Sequence, residues 1–198
     1  VTTSGTALWN SVARAPLDQV IANPEERQRL AEQFFFEPSP YIKTAVFIAT
    51  PNKGSPWAKR PVGKVASKIV KYSPQQTKRH RALIKRNPGI FSSPMQRRSP
   101  TNIDLMHPDN ELLHTIQNLP LAPWVQSYAI AGTGGSFCSR MGPSDGVITI
   151  HSATTPAACK TFYVDAIHTD ILRHDETISI VSQILRFNVT QAQPVSLP

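Results

Sequence analysis

From residue 41 onward, short and nearly unbroken apolar runs alternate with longer stretches in which apolar residues recur every three or four positions. The run Tyr41-Ile42-Lys43-Thr44-Ala45-Val46-Phe47-Ile48-Ala49-Thr50 is mostly apolar and β-branched and is fenced by Pro40 and Pro51. It predicts a strand covered on both faces of a parallel sheet, since a strand with one wet face would alternate. Residues 124 to 131 predict a second strand, stopped by Gly132, and residues 160 to 165 a third.

The helical pattern begins earlier. Asn23-Pro24-Glu25-Glu26 combines an N-cap, a proline at the first helical position and a glutamate three residues after the cap, which predicts a helix over 24 to 36. Glu37-Pro38-Ser39-Pro40 breaks it. Further helices are predicted over 62 to 72, with Val62, Ala66, Ile69 and Val70 on one face, and over 75 to 87. Residues 88 to 108, rich in Pro, Ser and Arg, predict a loop. Asp109 is expected to cap a helix over 110 to 118 with Leu112, Leu113 and Ile116 as its buried stripe. The last helix, about 175 to 187, sets Ile178, Val181, Ile184 and Leu185 along one side. Helices alternating with buried strands predict an α/β fold with a mainly parallel sheet and flanking helices.

Length and composition narrow this to one domain over 1–198, with 40% hydrophobic residues to fill a core. No run reaches the roughly 18 apolar residues of a membrane span, and the N-terminal residues lack the basic start and apolar core of a signal peptide. A soluble protein of undetermined compartment is the expectation. Because the chain begins at Val1 rather than Met, loss of an upstream segment is also expected. Cys138 and Cys159 fit no zinc pattern and suit either one disulfide or two buried thiols.

Charge changes the picture more. The net charge is +8, and no acidic residue occurs between Glu37 and Asp104, whereas the basic residues from Lys53 to Arg98 make up more than half of the 21. Such a block is either a solvated face or a site for phosphate backbones, lipid headgroups or acidic substrates. Its aromatics, Trp57, Tyr72 and Phe91, are too sparse for base stacking, so membrane or acidic-substrate contact is favoured over nucleic acid.

Candidate chemistry lies in two loops that follow strands. G-T-G-G-S-F-C-S-R-M-G-P-S-D-G-V-I-T-I holds Asp145, and A-I-H-T-D holds His168. In open parallel sheets reactive groups gather at the carboxyl ends of strands, where a carboxylate holding one imidazole nitrogen leaves the other to act as a base. His168, Asp170, His174 and Asp175 also raise a metal reading. Asp170 and His174 would share a face if both were helical, with His168 or His151 completing the set; the plainer alternative is a helix start. G-T-G-G-S at 132 to 136 is read as a flexible strand-exit loop rather than a phosphate cradle.

T-P-N-K-G-S-P after a buried strand, S-D-G-V-I before the last strand, and A-I-H-T-D-I followed by a helix resemble the C-terminal half of lipase-like serine esterases of the α/β-hydrolase superfamily, over most of the chain from Ser4 to Leu185. The resemblance implies a partial α/β-hydrolase fold in which residues 56 to 108 form a helical, basic cap. It implies ester hydrolysis through an acyl-enzyme without a cofactor, Asp145 orienting His168, and lipid or other carboxylic esters as substrates. The family's G-x-S-x-G nucleophile elbow is expected to be missing. Ser4, Ser55, Ser136 and Ser139 are then the candidates for a recruited nucleophile; Ser55, in the K-G-S-P turn, is read as a turn hydroxyl in the plainer alternative, and Ser4 ranks below it. A half-sheet would leave an edge open, so a second copy or a separate N-terminal piece is expected to complete it. The competing expectation is an inactive remnant whose basic segment binds anionic lipid or another acidic partner.

Overall fold

The Asn23 cap predicted from sequence is present in full. Its side chain accepts from the Glu26 N–H at 2.8 Å, and the Glu26 carboxylate accepts from the Asn23 N–H at 3.0 Å. The computed structural model describes residues 6–55, 58, 73–92, 95–96, 106–135 and 142–191. The predicted helix over 62 to 72 and Trp57 lie outside them. The chain divides into two compact units, one of Val1–Ile42 and Asn52–Trp124, the other of Lys43–Pro51 and Val125–Pro198.

The first unit is helical. It holds α1 (Thr6–Val12), α2 (Pro24–Phe34), α3 (Pro74–Arg86) and α4 (Glu111–Asn118). Helix α3 starts like α2, with Ser73 and Gln76 exchanging cap hydrogen bonds and Pro74 at the first position. Trp9, Val12, Val20, Leu30, Leu83 and Phe91 build the core, and the Trp9 indole N–H donates to the Ala15 carbonyl at 2.9 Å. Glu26 also receives the Arg86 guanidinium at 2.7 Å. Burial favours the neutral Glu26 carboxyl, but the Asn23 N–H and the charges of Arg86 and Arg29 outweigh it and hold the group below its ordinary range.

Asn87, just past α3, ties this unit together. Its side chain accepts from the Ile21 N–H at 2.7 Å and donates to the carbonyls of Ile21 at 2.9 Å and Leu83 at 2.8 Å. Asn87→Ala would leave three backbone groups without their partner around a side chain that is 2% exposed. We expect it to destabilise the protein by about 2–4 kcal/mol, read as a shift of the urea midpoint; a change under about 0.5 kcal/mol would mean that water replaces the amide.

Two expectations for this unit are corrected. Asn110, not Asp109, caps α4, accepting from the N–H groups of Leu112 and Leu113. Nor does α4 have a fully buried stripe: Leu112 and Leu113 are half-buried and Ile116 is exposed.

The second unit carries a parallel sheet in the order β1 (Thr44–Ile48), β2 (Gln126–Gly132), β3 (Lys160–Val164), with α5 (Ile150–Ala153) and α6 (Asp175–Gln191). Helices with a small parallel sheet give α/β character, as predicted. Ile48, Ile130 and Phe162 are aligned in register across the sheet and pack with Val164, Ile171, Ile180 and Ile184. Ala131, Ile148 and Ala153 form a separate cluster.

The strand buried on both faces is β2, where Ala129, Ile130 and Ala131 are fully enclosed. The expectation had given that place to β1, which is half-buried throughout because it pairs on one side only among the described residues. Helix α6 buries Thr177, Ile180 and Ile184, whereas Ile178 and Leu185 face solvent. Both stripes have helical spacing, and the polar Thr177 disguised the buried one. Among the described residues, no helix is long and apolar enough to cross a membrane.

Candidate active site

Strands β2 and β3 run parallel as neighbours, so the chain leaves both at the same sheet edge. The exits stay together. Thr133 N–H donates to the Val164 carbonyl at 2.8 Å and Gly134 N–H to the Ala166 carbonyl at 3.2 Å. Gly135 N–H then reaches back to Ser144 at 3.0 Å.

Glycine is required on this path. A methyl on Gly132 would stand 2.7 Å from both the Ala166 oxygen and Asp145 Cβ, one on Gly134 would sit 2.8 Å from the Ala166 carbonyl carbon, and one on Gly135 would overlap the Gly146 nitrogen. The described part of the G-T-G-G-S loop is therefore a packed junction, which corrects the expectation of a flexible exit. Sequence reasoning missed these glycines as builders of the site. Their signal was the crowding of three glycines at a strand's carboxyl end, which suits close backbone approach as well as it suits freedom.

The junction holds Asp145 with its side chain 1% exposed. One carboxylate oxygen accepts from the N–H groups of Val147 at 2.9 Å and Ile148 at 2.6 Å, while Gly146 turns the chain at φ 94°. The other oxygen receives His168 Nδ1 at 2.8 Å. A second link runs through the backbone, where His168 N–H donates to the Asp145 carbonyl at 2.9 Å. The two residues that sequence reasoning paired across the strand ends are thus brought together.

Donation from Nδ1 to a carboxylate fixes the neutral imidazole with its lone pair on Nε2. That nitrogen has no partner among the described residues, and the His168 side chain is 37% exposed. The arrangement can accept a proton at Nε2 and hold the resulting imidazolium against a buried carboxylate. It contains no hydroxyl bonded to Nε2 among the described residues.

Ser55 is buried in the first unit, its N–H donating to the Met106 carbonyl at 2.9 Å and its own carbonyl accepting from Ala58, so its backbone is fixed in a turn. Ser4, Ser136 and Ser139 lie outside the described residues. Contrary to the expectation of a missing motif, Gly142-Pro143-Ser144-Asp145-Gly146 has the G-x-S-x-G spacing. Ser144 is buried in the loop between β2 and α5, with its hydroxyl accepting from the Gly146 N–H at 3.2 Å. It has the letters of an elbow without the strand-to-helix turn.

The metal reading loses its premise. Asp170 precedes the single 3-10 turn Ile171–Arg173 without a side-chain capping bond and pairs with Arg173 at 2.8 Å, and His174 is extended ahead of α6, so the two do not share a helix. No group of three or more His, Cys, Asp or Glu among the described residues is arranged to hold a metal. Cys159 is a free, exposed thiol rather than a buried one; Cys138 lies outside the described residues. Compared with known proteins, the sequence matches no family model and no curated protein.

Proposed function

We propose that Asp145 and His168 are the acid and base of a serine-type carboxylic ester hydrolase with a partial α/β-hydrolase fold. The observation that carries the reading is the 2.8 Å bond from His168 Nδ1 to a buried carboxylate, made where two neighbouring parallel strands end and with Nε2 left available. In this reading Nε2 takes the proton of a serine hydroxyl as its oxygen attacks the ester carbonyl. Asp145 stabilises the imidazolium, which then returns the proton to the leaving alkoxide, and water clears the acyl-enzyme by the same route.

Lipid or other carboxylic esters are the substrate class, and the basic segment of 56 to 108 serves as a cap. The serine is Ser55, Ser4, Ser136 or Ser139, or is supplied by a second polypeptide that extends the sheet along the outer side of β1, which pairs with no strand among the described residues. The test is labelling of the protein, and of whatever purifies with it, by a fluorophosphonate probe that reacts with activated serines. One adduct, located by peptide mapping, would support the reading and name the nucleophile. Folded protein that takes up no probe would overturn it.

A further inference from the structure

Over its 13 residues α3 carries Lys78, Arg79, Arg81, Lys85 and Arg86 and no acid. His80, Leu83, Ile84 and the following Asn87 take the i, i+3, i+4, i+7 positions of the packed side, and the basic residues project from the exposed remainder. Arg86 is matched by Glu26. Lys78, Arg79, Arg81 and Lys85 make no ion pair among the described residues. Between this face and Glu26 runs a groove of about 410 Å³ lined by Lys78, Arg79, Ala82, Lys85 and Arg86.

Such an arrangement opposes helix formation. Lys78 and Arg81 are three positions apart and Arg81 and Lys85 four, spacings at which like charges weaken a helix by a few tenths of a kcal/mol each. The cap at Ser73 and the Asn87 anchor hold the helix despite this. The counter-charge for the face is therefore to be sought outside the described structure.

A second observation identifies the partner's chemistry. Ile21 is 62% exposed, and the two hydrogen bonds of Asn87 hold it at the C-terminal end of α3. An exposed aliphatic side chain whose backbone is tied to the C-terminal end of a helix that bears unpaired lysines and arginines suits a bilayer surface, where phosphates meet the cations and the apolar edge receives the isoleucine. A nucleic acid would use the cations but has no place for Ile21, and no aromatic residue on α3 offers a stacking surface.

We propose that this face of α3, with Ile21, docks on an anionic phospholipid membrane. The inference does not depend on the hydrolase reading, because none of these residues takes part in the acid–base pair. It is tested by sedimenting the protein with vesicles of phosphatidylcholine, with and without phosphatidylserine, and by titrating a DNA duplex at the same salt. The expected result is binding to the anionic vesicles alone, released by added salt. Combining Lys78→Gln, Arg79→Gln and Lys85→Gln, all at exposed positions, should weaken it about a hundredfold, and Ile21→Ser about fivefold to tenfold with little change in salt dependence. Equal binding to neutral vesicles, or no vesicle binding by the parent protein, would overturn the proposal. So would duplex binding that is tighter than vesicle binding and indifferent to Ile21→Ser, which would assign the face to nucleic acid.

Discussion

Under the proposed hydrolase reading, Asp145→Asn is expected to slow probe labelling and ester turnover by about ten-thousandfold, the loss that follows when the imidazole of a Ser-His-Asp triad is held in the wrong tautomer. The amide oxygen can still accept from Val147 and Ile148, so the loop keeps its shape. Its NH2 group then faces His168 Nδ1, which must become an acceptor, and the ring proton moves to Nε2, where no base is left. His168→Ala should cost a similar factor. Asp145→Ala differs in kind, because it removes the partner of two backbone N–H groups in a buried loop and should destabilise the fold by about 2–5 kcal/mol. Separating the two effects requires both turnover and a denaturation curve for each variant. Full activity in Asp145→Asn would mean that the pair only clips the two loops together.

Gly132→Ala should damage both stability and activity from a position that carries no chemistry. Of the three atoms crowding the added methyl, the Ala166 oxygen and Asp145 Cβ are fixed by backbone; only Ile171 Cδ1, at 3.2 Å, can swing aside. Relief requires the two loops to part. We expect a loss of about 2–3 kcal/mol, seen as a fall of about 5–10 °C in the thermal midpoint. Displacing the acid from the base by about 1 Å should reduce labelling by about a hundredfold. Gly142→Ala is the control. Its φ is 77° but nothing lies within 4 Å of the added carbon, so it should cost only about 1 kcal/mol of backbone strain and leave labelling unchanged. Equal effects of the two substitutions would refute the steric argument.

The second unit was more legible in the sequence than the details within it. Apolar runs gave the three strands because a buried strand needs little beyond composition, and the positions of Asp145 and His168 after two of them were enough to pair the residues. Which strand is central was not legible. Tyr41 to Thr50 is a longer apolar run than the one containing β2, yet pairing rather than hydrophobicity decides what is covered. The α6 stripe failed for a related reason, since Thr177 enters the core as a polar residue beside two isoleucines. Adjacent cap formers at Asp109 and Asn110 differ by one residue in register, a distinction that propensity cannot make. The glycines after β2 were read as freedom, whereas the approach of two backbones that requires them appears only in three dimensions.

The acid and the base are joined by two hydrogen bonds, one through the side chains and one through the backbone, and the described residues that make and crowd this junction run from Gly132 to Ile171. Nothing in that circuit refers to a nucleophile. A pair wired in this way holds its geometry whether or not a hydroxyl stands at Nε2, so an intact Asp145–His168 contact reports the packing of two loops, and turnover has to be read from labelling rather than from folding.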